Sequence, residues 1–234
     1  MIILIGLLPG ELGLALPSAE ITIHTPISGS TVISPIDITA SVTPGADDLI
    51  RISLIDKSRN LLARQLIRVD SDEFNPEQFS TQLMFEIPTE SAEALLIIST
   101  KDMNNRPLSE RAITLSLKVN NEVVLETQSP ETPWLIVDTP KPLSIHHGGS
   151  LTVSGTVTPI STKPLILELF TDSGGLIGSK QLTVGNTGLE TPFLVTLTYS
   201  FIDTTRDVRL VIRQTMDPFG QNVTLDSIPI YLAP

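Results

Sequence analysis

Cysteine is absent from this 234-residue chain. Disulfide staples, thiolate metal sites, cysteine nucleophiles and a cysteine-borne lipid anchor are excluded with it. Aromatic residues make up only 4%, with a single tryptophan, Trp134. Enzymes and modules that act on sugars usually line their clefts with aromatics, so a paired-carboxylate glycosidase or a carbohydrate-binding module has little to build on. Three histidines leave little material for a His-based triad, and no G-x-S-x-G elbow, H-E-x-x-H helix or phosphate-binding glycine loop occurs. Lysine and arginine are scarce: 15 basic against 26 acidic side chains gives a formal net charge of −11, and no basic run exists. Phosphate counterions are displaced by clustered cations, so nucleic-acid binding is disfavoured. No segment keeps a helical period over three turns. An enzyme is therefore the least favoured class, although a fold by itself excludes no activity.

Hydrophobic residues reach 41% and are mostly Ile, Leu and Val, with 18 prolines spread along the chain. That mixture suits short strands joined by turns around a buried core. The clearest pattern is internal repetition. Thr25-Pro26 matches Thr139-Pro140, Val42-Thr43-Pro44 matches Val157-Thr158-Pro159, and Phe79 matches Phe193, at offsets of 114 or 115. Within each copy the period is two. Ile36, Ile38, Ala40 and Val42 alternate with polar residues, as do Leu151, Val153, Gly155 and Val157. Successive strand side chains point to opposite faces, so each segment offers one apolar face.

Seven strands are expected per copy. In the first they span 20–24, 36–42, 49–55, 61–69, 79–86, 94–100 and 111–118. In the second they span 134–138, 150–157, 164–170, 176–184, 193–200, 207–214 and 225–232. Seven short strands in about a hundred residues is the profile of an immunoglobulin-like antiparallel β-sandwich. The expected architecture is all-β: a leader at 1–19, one sandwich domain at 20–118, a polar linker at 119–133 and a second domain at 134–234. Ile52 and Leu95 are expected to share the first core, and Leu167 and Leu210 the second. Glu168, Arg209 and Arg213 are expected to face water. Pro229 lacks a ladder donor, which marks the last strand as an edge. Gly174-Gly175 supplies the positive φ of a hairpin, a role that falls to Asn60 in the first copy. The linker is expected to hold one extended piece, 123–125.

Residues 1–8 form a short apolar run followed by Gly13, Ala15, Ser18 and Ala19, which reads as a secretory signal lacking its basic start. The run is too short to span a bilayer as a helix, and no other stretch approaches that length. Export out of the cytoplasm is the expectation.

Several stretches resemble a known family. VDTPKP, SLTVSGTVTP, LFTDSGGLIGSKQL, PFLVTLTYSF and SIPIYL in the second copy, with TPISGSTVISPIDITASV, LIDKSRNLL and FSTQLMFEI in the first, are similar to the immunoglobulin-like domain of bacterial spore-germination and related envelope proteins. The first copy departs from that pattern in lacking the hairpin glycine and in having Ala40 where the second has Gly155. The resemblance implies an extracytoplasmic, non-catalytic module, and it transfers no site residues.

Two candidate sites remain. His146-His147 precedes Gly148-Gly149; adjacent strand residues point apart, which favours a polar turn over a metal site. In an immunoglobulin-like topology the loops after strands two, four and six gather at one end. In the first domain those loops carry Asp47, Asp48, Asp70, Asp72, Glu73 and Asp102, an acidic end expected to lie away from the linker. Such oxygens suit calcium, which takes six to eight, or else they are solvated charges. No other cofactor is expected. The functional expectation is a scaffold or binding module for a protein or cell-wall surface, the alternative a calcium-supported adhesin or spacer.

Overall fold

The structure, a computed structural model, describes residues 20–69, 76–120, 123–125, 133–200 and 203–234. The leader and Asp70, Asp72 and Glu73 lie outside these residues. The described chain is built from sixteen strands. In the first sandwich they are β1 (Ile21–Thr25), β2 (Thr31–Val32), β3 (Ile36–Val42), β4 (Leu49–Asp56), β5 (Leu61–Arg68), β6 (Glu77–Leu83), β7 (Ser91–Lys101) and β8 (Pro107–Lys118). In the second they are β9 (Leu135–Thr139), β10 (Ile145–His146), β11 (Ser150–Val157), β12 (Leu165–Thr171), β13 (Leu176–Leu182), β14 (Thr191–Thr198), β15 (Arg206–Met216) and β16 (Gln221–Leu232).

Each copy packs a three-stranded sheet, β1-β3-β6 or β9-β11-β14, on a four-stranded one, β5-β4-β7-β8 or β13-β12-β15-β16. All neighbours in these sheets run antiparallel. A two-residue strand closes each larger sheet in parallel, β2 on β8 and β10 on β16. This is the immunoglobulin-like sandwich the alternation implies, with the first strand of each copy split between the two sheets. The small parallel strands were too short for any periodicity to show.

Alternation translates directly into burial. Ile36, Ile38, Ala40 and Val42 are buried in the first core with Ile52, Leu96 and Leu115. Leu151, Val153 and Val157 are buried in the second with Leu167, Leu210 and Ile230. Gly155 is demanded by packing: a Cβ there would stand 2.0 Å from the carbonyl oxygen of Ile136 on β9. At the second hairpin Gly174 takes a φ of 79°. At the first, the left-handed residue is Arg59, φ 67°, and not Asn60. Asn60 instead closes the turn by donating from its N–H and Nδ2 to Asp56, both at 2.8 Å.

The two larger sheets are fused. Strand β16 pairs antiparallel with β8 at Thr224↔Arg111, Leu225↔Glu110 and Asp226↔Ser109. The last strand is therefore not the free edge that Pro229 suggests. Its first part pairs with β8 and its end with β10. Pro229 falls in the gap between them, where no outward N–H is needed, and its carbonyl accepts from Leu143 N–H at 2.7 Å.

Candidate functional site

The join between the sandwiches is the most elaborated polar region among the described residues. It has a local quasi-twofold axis. With the offset of 115 that relates the last strands, Ser109 corresponds to Thr224, Glu110 to Leu225 and Arg111 to Asp226. Each fully buried hydroxyl meets the charged residue of the other copy. Ser109 Oγ donates to Asp226 Oδ1 at 3.0 Å, and Arg111 Nη1 donates to Thr224 Oγ1 at 2.6 Å. Because the charges differ in sign, Arg111 Nη2 and Asp226 Oδ2 also pair, at 3.0 Å. Trp134 completes the group: its Nε1 donates to Asp226 and its ring lies under the Arg111 guanidinium, 5.5 Å from centroid to Cζ.

Outside this axis, the turn between the last two strands of each copy rests on the outer face of the other copy's sheet. From the second copy, Phe219 packs on Ile55 and Leu95, flanked by Ile97 and Ala112, while Arg59 Nε donates to the Phe219 carbonyl at 3.0 Å. From the first copy, Asp102 reaches Arg209. Its Oδ2 accepts from Arg106 Nε at 2.6 Å and from Arg209 Nε at 3.1 Å, and Arg106 Nη2 continues to Asp207 at 3.2 Å. Arg209 Nη1 donates to Ser227, whose hydroxyl donates to the Leu108 carbonyl. Leu95 and Arg209 occupy corresponding positions, at an offset of 114. One receives an aromatic ring and the other a carboxylate.

These contacts correct three sequence expectations. Leu95 does not share the core of Ile52; it points to the opposite face, under Phe219, and its neighbour Leu96 fills the core. Arg209 does not face water but is buried against Asp102. Glu168 and Arg213 form a two-pronged pair at 2.8 and 3.1 Å, with both side chains largely covered. Leu167 and Leu210 do share the second core, as expected.

The ionisation of these groups follows their surroundings. Burial alone would raise the Asp102 carboxyl. Hydrogen bonds from the side chain and N–H of Arg106, with the charges of Arg209 and Arg106, outweigh it and hold the group below its ordinary value. Burial lowers the Arg209 guanidinium from its ordinary value, opposed by the charge of Asp102. Glu110, opposite Leu225 on the quasi-twofold, is pushed up by burial to about 7, against a hydrogen bond with Asn222 and the charges of Arg213 and Lys101.

Beside the join lies a cleft of about 300 Å³. Its walls come from β1, β8 and the second sandwich, with Ile113, Trp134, Ile160, Met216 and Val223 as apolar lining and Glu20 and Arg111 as charged groups. Pockets of this kind favour domain boundaries, where two rigid bodies leave a groove.

Of the acidic loop residues, Asp47, Asp48 and Asp102 are among those described. Asp47 pairs with Arg51 and accepts from Leu49 N–H. Asp48 takes a φ of 55°, and its N–H and carbonyl close the turn to Gly45 and Val69. Asp102 lies against the second sandwich rather than at an end remote from it, its carboxylate already compensated by two guanidinium groups. Among the described residues no three His, Asp or Glu side chains converge as a metal-binding group. The two adjacent histidines turn apart: His146 Nε2 lies 2.7 Å from Ser144 Oγ, and His147 Nδ1 lies 2.9 Å from the Pro234 carbonyl. Burial and the neighbouring His147 lower the His146 pKa from its ordinary value. Trp134 packs at the join and in the second core.

No family model matches the chain, and no curated protein matches it. Solved structures do. One is dimeric latent PorU from Porphyromonas gingivalis, at 14% identity and TM-score 0.28; 97% of this chain overlaps it but spans only 21% of its length. The Salmonella enterica SafA pilin in complex with the SafB chaperone is 11% identical over 92% of this chain and 97% of that one, with TM-score 0.30. The Ig1-2 module of the Drosophila receptor protein tyrosine phosphatase DLAR is 10% identical over 92% and 99%, with TM-score 0.22. The sandwich assignment rests on the strand order and the two cores, not on these likenesses. No helix among the described residues is long and apolar enough to cross a membrane.

Proposed function

We propose that this chain is a non-catalytic scaffold and binding module that works outside the bacterial cytoplasm, in the envelope or the secreted fraction, and recognises a protein or cell-wall surface. One observation carries the reading: the two sandwiches are welded by a fused sheet, a buried aromatic and a buried ion-pair network, Asp102 with Arg106 and Arg209. Modules that only space their neighbours need no such join; polar linkers suffice, and interdomain motion is the default. A fixed pair presents one pre-organised surface, which lowers the ordering cost of binding. The cleft beside Trp134 is the natural contact point on that surface. The signal-like leader and the resemblance to envelope immunoglobulin-like domains support the location.

Cosedimentation tests this. The full chain is mixed with isolated peptidoglycan sacculi, and separately passed over immobilised envelope protein extract. Retention on one of them, lost in a Met216→Lys variant that unfolds at the native temperature, is the expected result. Equal behaviour of the native chain and the variant on both materials would remove the cleft from the proposal.

A further inference from the structure

The repeat allows each edge of one sandwich to be compared with its counterpart. In the first sandwich, the backbone of Ser30 and Val32 faces β8, where Ser116 N–H donates to the Ser30 carbonyl at 2.9 Å. Thr31, between them, turns its own N–H and carbonyl outward. Both are taken by one residue of the linker: Thr31 N–H donates to the Val124 carbonyl at 2.8 Å, and Val124 N–H donates back at 3.0 Å. A single antiparallel bridge thus covers the outer edge of β2.

The second sandwich repeats every part of this except the cover. Tyr231 N–H donates to the Ser144 carbonyl at 2.9 Å and Ala233 N–H to the His146 carbonyl at 2.8 Å, so Ile145 is the counterpart of Thr31. Its N–H and carbonyl point away from β16, and among the described residues nothing meets them. The surroundings are apolar: Ile145 is 60% exposed, its partner Tyr231 37% and Leu143 46%. An open strand edge bordered by exposed apolar side chains is what folded proteins usually cover or guard with charge.

We propose that the Ile145 edge binds an extended segment of another polypeptide by antiparallel β-addition, in the way Val124 covers Thr31. The occupant's chemistry is read from that cover. It is an apolar, β-branched residue offering both backbone groups, inside a segment with acidic flanks, as in Glu122-Val123-Val124-Leu125-Glu126. Charge agrees: residues 139–149 carry Lys141 and no acidic side chain, and residues 227–234 carry none either. Main-chain bonds supply the attachment and the apolar neighbours the selectivity. This edge is separate from the cleft, so a chain that ignores sacculi and envelope extract could still bind such a segment.

The test uses the full chain, ¹⁵N-labelled, titrated with a capped peptide of residues 120–127. Saturable amide shifts at Ile145, His146 and Tyr231 are expected, with slowed exchange of the Ile145 amide. Ile145→Pro removes the outward donor without taking an N–H from the pairing with β16, and should weaken the peptide by at least about tenfold. A peptide N-methylated at the position of Val124 should fail on the native chain, which keeps the test decisive if the proline variant does not fold. The proposal is overturned if shifts are confined to Thr31 and Val124, or if the N-methylated peptide binds equally well. It is also overturned if the native chain forms a dimer that buries Ile145 and the peptide cannot compete, because the occupant is then a second copy.

Discussion

Replacing Asp102 by alanine removes a buried carboxylate that bridges Arg106 of the first sandwich and Arg209 of the second. Its side chain is 6% exposed and accepts from Arg106 Nε, Arg209 Nε and the N–H groups of Asn104 and Arg106, at 2.6 to 3.1 Å. Without it, two guanidinium groups that are 4% and 11% exposed face each other, and the nearest remaining counter-charge is Asp207, 3.2 Å from Arg106 but 44% exposed. Breaking a buried pair from one side costs roughly 3–5 kcal/mol, most of it the desolvation of the charge left behind. Asp207 and water entry at the rim place the expected loss near the lower bound, about 3 kcal/mol. The chain's one tryptophan is a built-in probe, because Trp134 is 5% exposed and hydrogen-bonded to Asp226 at the same join. In urea, the native chain should lose Trp134 emission and far-ultraviolet dichroism together. In Asp102→Ala the emission transition should move to lower urea and precede the loss of strand signal. Asp203→Ala, whose side chain is 76% exposed, serves as the control and should change stability by less than about 0.5 kcal/mol. If Asp102→Ala behaves like that control, with both transitions still coincident, the ion-pair network does not hold the sandwiches together.

Arg111→Asp and Asp226→Arg should each lower stability, by about 2 kcal/mol for this partly covered pair, and the double exchange should recover at least about 1 kcal/mol as a coupling energy in a urea double-mutant cycle. Glu110 has a folded-state pKa of about 7, above its ordinary 4.5. Its contribution is therefore fully present below pH 4.5 and lost as pH rises through 7; Glu110→Gln should flatten the dependence of urea midpoint on pH in that window. Asp102 works in the opposite sense, with a lowered pKa, so its contribution is present above pH 3.8 and lost as pH falls through the folded value. Gly155→Ala places a Cβ 2.0 Å from the Ile136 carbonyl oxygen, and should cost roughly 1–3 kcal/mol as β9 is forced away, read as a lowered thermal midpoint.

The cores were legible because a sandwich buries one face of each strand, and period-two alternation is the direct image of that. Ile36 to Val42 and Leu151 to Val157 could be read residue by residue. The join was much less legible. Residues 94–98 read Ala-Leu-Leu-Ile-Ile, apolar on both faces, which signals a strand covered on both sides. That run could have exposed Leu95 as something other than core. Arg209 gave no such sign: a charged residue between Val208 and Leu210 reads as the solvent face of an amphipathic strand, and only tertiary placement turns it into a buried ion-pair partner. The location of Asp102 was hidden for the same reason. Strand direction indicates which loops share an end, but not that the second sandwich lies against Asp102.

The differences between the copies say which surfaces are meant to meet. If two first sandwiches paired across the quasi-twofold, Glu110 would stand opposite Glu110, and like charges directly opposite on paired strands are destabilising. In the chain as it is, Glu110 faces Leu225, and the substitution of Asp226 for an arginine at the corresponding position turns two like charges into a pair. The turns follow the same logic. Phe219 lands on Leu95 and Asp102 on Arg209, whereas the self-paired arrangements would aim Asp102 at Leu95 and Phe219 at Arg209. The first would bury a carboxylate on an apolar surface, and the second would cover a guanidinium with a ring in place of its counter-charge. Three positions that differ between otherwise matching copies, with the differing content of the two turns, therefore favour pairing within the chain and disfavour pairing of like with like, which is specificity obtained from repulsion as much as from attraction.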